Sequence, residues 1–214
     1  MRFLLLNTLL ISIFVSCASG TVNYSKPSSD YDIENEKVVD MSFNKTWDHF
    51  IERLSSSVYT IEHMNKESGF INISLSSNAP SEFLDCGIYN VKFENIKTKQ
   101  DITFNGADTG QRFTSYTDGN VHPMVRNTKL SSKVNVYFKK ISPKKTSVKV
   151  NAKYVLNVTG QEGYMNNNYQ WIYQPFTYSV IFSSGEVGTP DRGGDTPSCV
   201  TNGDLESFIL KMLQ

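Results

Sequence analysis

The sequence has few of the residues on which most catalytic and metal sites depend. It contains three histidines, His49, His63 and His122, which lie far apart and lack the close cysteine or histidine partners of a zinc site. No serine lies in a glycine-flanked nucleophile turn, and no glycine-rich stretch carries the lysine of a phosphate-binding loop. We therefore expect a protein that is not an enzyme, with no metal and no cofactor.

An excess of charge of either sign is also missing. Lysine and arginine number 21, aspartate and glutamate number 21, and the formal net charge is zero. A nucleic-acid-binding protein needs a concentrated basic face to neutralise phosphates. The densest basic cluster, Lys139-Lys140 with Lys144-Lys145, surrounds a predicted hairpin turn and is expected to be solvated. Nucleic acid is therefore not an expected partner.

Long hydrophobic runs are absent after the first 16 residues. The apolar run 3–15 follows Met1-Arg2 and is too short to span a bilayer, which is typical of a secretory signal. Cys17 comes directly after it, as in the bacterial lipoprotein box, where the cysteine sulfur takes a lipid such as palmitate. On this interpretation residues 1–16 are a signal peptide and the lipid on Cys17 attaches the protein to a membrane. Ordinary cleavage near Ala18 and an uncleaved anchor are the alternatives.

Cysteine is scarce as well, with three residues in the chain. If Cys17 carries lipid, Cys86 and Cys199 remain as a pair in an oxidising compartment, and we predict a disulfide between them. The alternative is a reactive Cys86 assisted by a histidine such as His63.

The order of the chain predicts one domain behind a tether. Residues 17–35 are polar and predict a lipidated cysteine followed by a flexible tether, and residues 36–214 form the domain. A strand at 36–41 precedes an amphipathic helix at 43–54, and a capping box at Thr201 and Asp204 starts a second helix at the end.

Between the helices, the residues alternate as in antiparallel strands. Predicted strands cover 58–64, 70–76, 84–93, 111–116, 133–141, 146–158 and 169–182. Residues 94–111 are predicted to be a long loop or a weak extra hairpin, and 118–129 and 160–168 are predicted to be loops. The side-chain parity changes at Gln174-Pro175, which predicts a bulge or break.

This order predicts an α+β, helix-grip-like fold: a curved antiparallel sheet of about six strands with two amphipathic helices on one face. The chain also resembles small Gram-negative lipoproteins of the helix-grip kind, such as the domains of BamC-type outer-membrane lipoproteins. The residues that carry the resemblance are Cys17, the helix at 43–54 with 68–71, the hairpin segments 134–137 and 151–154, and Cys199 with Gly203 and Glu206. The resemblance implies a fold and a place in the cell envelope, with the outer membrane facing the periplasm preferred.

The aromatic residues Tyr169, Trp171 and Tyr173 are the best functional candidates. They belong either to the core of the sheet or, if the parity change turns them outward, to an interaction surface. We expect a non-enzymatic, lipid-anchored envelope protein that acts as an interaction or scaffold module for an envelope protein partner. The alternative is a carrier or sensor that holds a small apolar ligand between helices and sheet, in a cavity lined by Trp47, Phe50 and Phe208.

Overall fold

The computed structural model describes residues 18–28, 31–194 and 196–214. The predicted signal peptide and Cys17 lie outside these residues. The strands, in chain order, are β1 (Ser19–Ser25), β2 (Glu36–Val39), β3 (Thr60–Asn65), β4 (Phe70–Ser77), β5 (Leu84–Asp85), β6 (Ile88–Glu94), β7 (Lys99–Asn105), β8 (Gln111–Thr117), β9 (Asn120–Ser142), β10 (Lys145–Met165), β11 (Trp171–Ser183) and β12 (Val200–Thr201). The α-helices are α1 (Phe43–Ser55) and α2 (Asp204–Lys211). In the described parts of the chain, neither helix has the length and apolar character needed to cross a membrane.

A seven-stranded antiparallel sheet is built on one long hairpin. Its two central strands are β9, with 23 residues, and β10, with 21 residues. On the side away from β9, strand β10 pairs first with β2 and then with β11. On the side away from β10, strand β9 pairs with β4 next to the turn and with β8 farther from it. Strand β3 pairs with β4 and completes the sheet. The hairpin therefore has a near half, next to its 142–145 turn, and a far half.

The two faces of this sheet differ along the whole near half. Even-numbered residues of β9 and β10, such as Val136, Phe138 and Val150, point to a buried face, which we call the covered face. Odd-numbered residues such as Lys133 and Lys153 are exposed on the opposite, open face. The period of two is what a strand imposes on successive side chains.

Both helices lie on the near half of the covered face. Trp47 and Phe50 of α1 each place a ring 5.2 Å from that of Phe138 on β9. Trp47, Phe50 and the buried Leu54 are spaced so that they form one apolar stripe along α1. This stripe explains why the segment forms a helix that packs on the sheet. Glu206 of α2 is buried and accepts a 2.7 Å hydrogen bond from the hydroxyl of Tyr154 on β10.

A second, three-stranded sheet in the order β1-β6-β7 covers the far half. Its residues Val91 and Phe104 form a separate small core with Phe113 of β8, against which Met124 of β9 packs. The small sheet is thus the layer that replaces the helices over the far half of the hairpin.

The predicted fold class is wrong. Strands hold 57% of the described residues and helices 12%, in several antiparallel sheets rather than one sheet of about six strands covered by two helices. The helix-grip fold implied by the resemblance is therefore wrong as well. The physical cause is the far half, where a second sheet, not a helix, packs on the covered face.

Three local predictions also need correction. The free tether predicted over 17–35 is wrong for Ser19–Ser25, which is strand β1 and pairs with β6 over its whole length. The loops predicted at 118–129 and 160–168 are largely strand, in β9 and β10. The break at Gln174-Pro175 is absent, since Pro175 lies in register opposite Gln161. Strand β11 is an edge strand there, where a missing N–H costs no ladder hydrogen bond.

Candidate functional site

A pocket of about 310 Å³ lies between the two sheets. The small sheet supplies one wall, the far half of the large sheet supplies the other, and the loop before β12 closes one side. The pocket is lined by Val22, Tyr89, Phe104, Phe113, Ser115, Thr117, Met124, Arg126, Glu162, Phe176, Tyr178 and Arg192. Its size is at the lower end of the range for small-molecule sites, and its lining combines apolar and aromatic side chains with several polar and charged groups.

Arg126 is the most buried charged residue of this pocket, at 5% exposure. It lies on β9 at a covered-face position, and its guanidinium donates hydrogen bonds to the main-chain carbonyls of Gly106 and, over 3.3 Å, of Asp108. Among the described residues no carboxylate forms an ion pair with it. A buried cation without a counter-charge is costly, so this arginine is a group that an anion would stabilise.

Aromatic rings form the wall next to Arg126. The rings of Tyr89 and Phe104 stack at 5.2 Å, and Phe104 contacts Phe113 at 5.4 Å. Burial is the main cause that raises the pKa of Tyr89 to about 12; Tyr178 adds to the rise, whereas Arg126 opposes it. Tyr89 is therefore a neutral hydroxyl at physiological pH, able to donate a hydrogen bond inside the pocket.

The strand opposite Arg126 carries a glycine for a steric reason. Gly160 is the ladder partner of both Arg126 on β9 and Phe176 on β11. A Cβ atom at this position would overlap the Phe176 ring and the carbonyl of Val125. The glycine thus leaves room for the Phe176 ring over this strand, and Phe176 and Arg126 both line the pocket.

Two further charged groups lie at the rim. The guanidinium carbon of Arg192 is 4.1 Å from the centre of the Tyr178 ring, a cation–π contact that holds this loop residue over the pocket. On the other side, Oε1 of Glu162 lies 3.1 Å from Nδ1 of His122. The rim therefore carries one cation on an aromatic face and one acid next to a histidine.

The predicted disulfide is confirmed. Cys86 and Cys199 are joined with an S–S distance of 2.01 Å, and both are fully buried. The hydroxyl of Tyr24 on β1 lies 3.2 Å from the carbonyl oxygen of Cys86, and it accepts a 2.9 Å hydrogen bond from the N–H of Ser198. These contacts bring the small sheet and the C-terminal segment together beside the pocket.

The predicted aromatic surface lies away from the pocket. Trp171 and Tyr173 are at odd positions of β11 and are 39% and 51% exposed, and Tyr169 is 86% exposed in the β10–β11 turn. The structure brings these three residues to one end of the hairpin but not to Arg126. Their role as an interaction surface stays a prediction.

The space between α1 and the sheet, where the alternative hypothesis put a ligand, is filled with side chains. Trp47 and Phe50 are buried against Phe138, and Phe208 is an exposed residue of α2 that contacts Phe83. Sequence reasoning missed Arg126, Tyr89 and Arg192. The one signal that could have located Arg126 is its even parity with Leu130 and Val134, which continues the covered face of β9.

Among the described residues, no three histidine, cysteine, aspartate or glutamate side chains converge in a way that could hold a metal ion. Comparison with known proteins adds no relative, because no family model, no curated protein and no solved structure matches the chain. The geometry of the intersheet pocket is thus the basis for a functional assignment.

Proposed function

We propose that this protein is a non-enzymatic binding protein of the cell envelope, which holds a small molecule with one anionic group and an apolar body in the intersheet pocket. The single observation that carries the proposal is Arg126, a buried guanidinium in an aromatic pocket with no carboxylate partner among the described residues. A carboxylate or similar anion on the ligand would supply the missing counter-charge.

The pocket walls support a ligand with an apolar body. The rings of Tyr89, Phe104, Phe113 and Phe176 offer stacking and edge contacts to an aromatic or alkyl body. Burying such a body releases about 25 cal/mol for each Å² of apolar surface removed from water. The anion would orient the ligand, and the rings would supply most of the affinity.

The location in the cell envelope is proposed from the sequence. The apolar run 3–15 and Cys17 support secretion and a lipid anchor in a membrane, with the outer membrane preferred. The disulfide supports an oxidising compartment, because such bonds persist in the periplasm and are rare in the cytosol.

Titration with 1-anilinonaphthalene-8-sulfonate tests the pocket, since this fluorescent probe combines an anion with an aromatic body. Arg126→Met should weaken probe binding about 10- to 100-fold, because a hydrogen-bonded charge contributes roughly 1.5–3 kcal/mol. Arg112→Met is the matched control: Arg112 lies on the neighbouring strand β8 but is exposed on the opposite face. Equal binding by the two variants would contradict the proposal.

Native mass spectrometry of the protein purified from cells gives a second readout that does not depend on a variant. A bound organic acid, released on unfolding and absent from Arg126→Met, is the expected result. The thermal midpoint of the variant must be measured in parallel, so that loss of ligand is not confused with loss of fold.

A further inference from the structure

Three turns meet at the far end of the long hairpin, and together they form a surface that we call the distal end. They are the β6–β7 turn at 95–98, the β8–β9 turn at 118–119 and the β10–β11 turn at 166–170. One hollow of about 620 Å³ borders all three regions, since its lining includes Asn95, Gly119 and Trp171. The turns are therefore neighbours in space.

The chain enters the described structure at this same end. Ser19, the first residue of β1, pairs with Glu94, the residue before the β6–β7 turn. Gly20 lies against Tyr116, next to the β8–β9 turn. Cys17 is two residues before Ser19, and two residues reach at most about 7 Å. Because β1 is paired from Ser19 onward, no free linker separates the distal end from a lipid on Cys17.

The side chains of the distal end suit an interface between water and lipid. Tyr169 and Ile96 are 86% and 82% exposed, and Trp171, Tyr173 and Met165 are exposed as well. The β10–β11 tip from residue 164 to residue 174 contains no charged residue and is rich in asparagine and glutamine. Tryptophan and tyrosine concentrate at membrane interfaces, because each side chain has a polar atom at one end and an apolar ring at the other.

We propose that the distal end rests in the interfacial layer of the membrane that carries the anchor, with Trp171 and Tyr169 at headgroup depth. A protein partner was the expectation for this surface from the sequence. The position of Ser19 favours the bilayer, because a lipid on Cys17 would start within about 7 Å of Ser19, at the same end of the molecule as these aromatic residues. This inference rests on the lipid anchor of the proposed function, and it does not depend on a ligand in the pocket.

Fluorescence quenching tests the proposal, because the chain has two tryptophans with very different positions. Trp47 is 5% exposed and packs on Phe138, which lies about 60 Å from Asn120 along β9 at roughly 3.4 Å per residue. The full chain, expressed and processed in its host, is reconstituted into phosphatidylethanolamine and phosphatidylglycerol vesicles with brominated acyl chains. The expected result is a loss of emission in the wild type that is absent in Trp171→Phe.

A relocated tryptophan is the matched control. Tyr137→Trp in the Trp171→Phe background puts an exposed indole on the open face, near the other end of β9. This variant should show no bromine quenching. Equal quenching of both tryptophan positions, no quenching of the wild type, or failure of the wild type to attach to vesicles would each overturn the proposal.

A photoreactive residue at position 171 separates the bilayer from a protein partner in cells. Lipid adducts are the expected product. Adducts with protein alone would overturn the proposal and return this surface to the role expected from the sequence.

Discussion

The hydroxyl of Tyr154 on β10 and the carboxylate of Glu206 on α2 are joined by a 2.7 Å hydrogen bond in the fully buried core. The same hydroxyl accepts a 3.0 Å hydrogen bond from Thr201, and Ser184 donates 2.5 Å to Glu206 Oε1. This network is the polar contact between the C-terminal helix and the long hairpin.

Tyr154→Phe should lower the free energy of unfolding by about 1–3 kcal/mol, because Thr201 and Glu206 both lose a buried partner. Urea unfolding followed by circular dichroism measures the change. Tyr137→Phe is the control, since Tyr137 is half exposed on the open face and should change stability by less than about 0.5 kcal/mol. Similar losses in both variants would show that the network is not stabilising.

Alkaline pH should destabilise the protein through Tyr89. The folded-state pKa of Tyr89 is raised from 10.0 to about 12, mainly by burial. Above pH 10 the unfolded chain releases this proton while the folded chain retains it, so stability falls as the pH rises from 10 to 12. Tyr89→Phe should reduce the fall by up to about 2 kcal/mol. Denaturant unfolding at pH 9 and pH 11 measures the difference; a slope unchanged by the substitution would contradict the assignment to Tyr89.

The disulfide should contribute about 2–5 kcal/mol to stability. Replacing both Cys86 and Cys199 by alanine should lower the thermal midpoint, and reductant should lower the wild-type midpoint in the same direction. The alanine variant serves as its own control, because reductant should leave its midpoint unchanged. A wild type that is indifferent to reductant under unfolding conditions would contradict this expectation.

Lys133 and Lys153 lie directly opposite each other on the open face, and neither forms an ion pair among the described residues. Like charges at such positions repel. Lys153→Glu should therefore stabilise the sheet by roughly 0.5–1 kcal/mol, and the gain should shrink at 1 M salt. Lys153→Gln, which removes the repulsion without adding attraction, should give an intermediate value in the same unfolding experiment.

The near half of the molecule could be predicted from the sequence because its inward residues are apolar. Trp47, Phe50 and Leu54 gave the α1 pattern, and Val134 to Phe138 gave the centre of β9. The disulfide was predictable from the count of three cysteines and from the oxidising compartment that the sequence predicts. The signals for α1 and β9 are local, because each is a regular spacing of apolar residues within one segment. The signal for the disulfide depends on residues that the core alone requires.

The far half escaped prediction because its covered face lines a pocket and contributes little to the small core there. Inward positions there are Arg126, Thr128 and Gly160, which break the apolar alternation that marks a strand. Strand β1 offers little more than Val22 and Tyr24 to the interior, so residues 17–35 matched a polar linker. The pocket and the misassigned loops thus have one cause, namely polar and small side chains at positions where a core would place apolar ones.

The contact between Tyr24 and Ser198 implies that the two ends of the chain come together late in folding. These residues are 174 positions apart, and the disulfide beside them joins residues 113 positions apart. On the proposed export of the chain from its N-terminus first, this junction cannot close until almost all of the chain has crossed the membrane. Contacts of such long range slow folding, and on the same proposal Cys86 stays an unpaired thiol until Cys199 has crossed. Completion of the fold is therefore expected to depend on oxidation after export, and a strain without a periplasmic thiol oxidase should accumulate a protease-sensitive form.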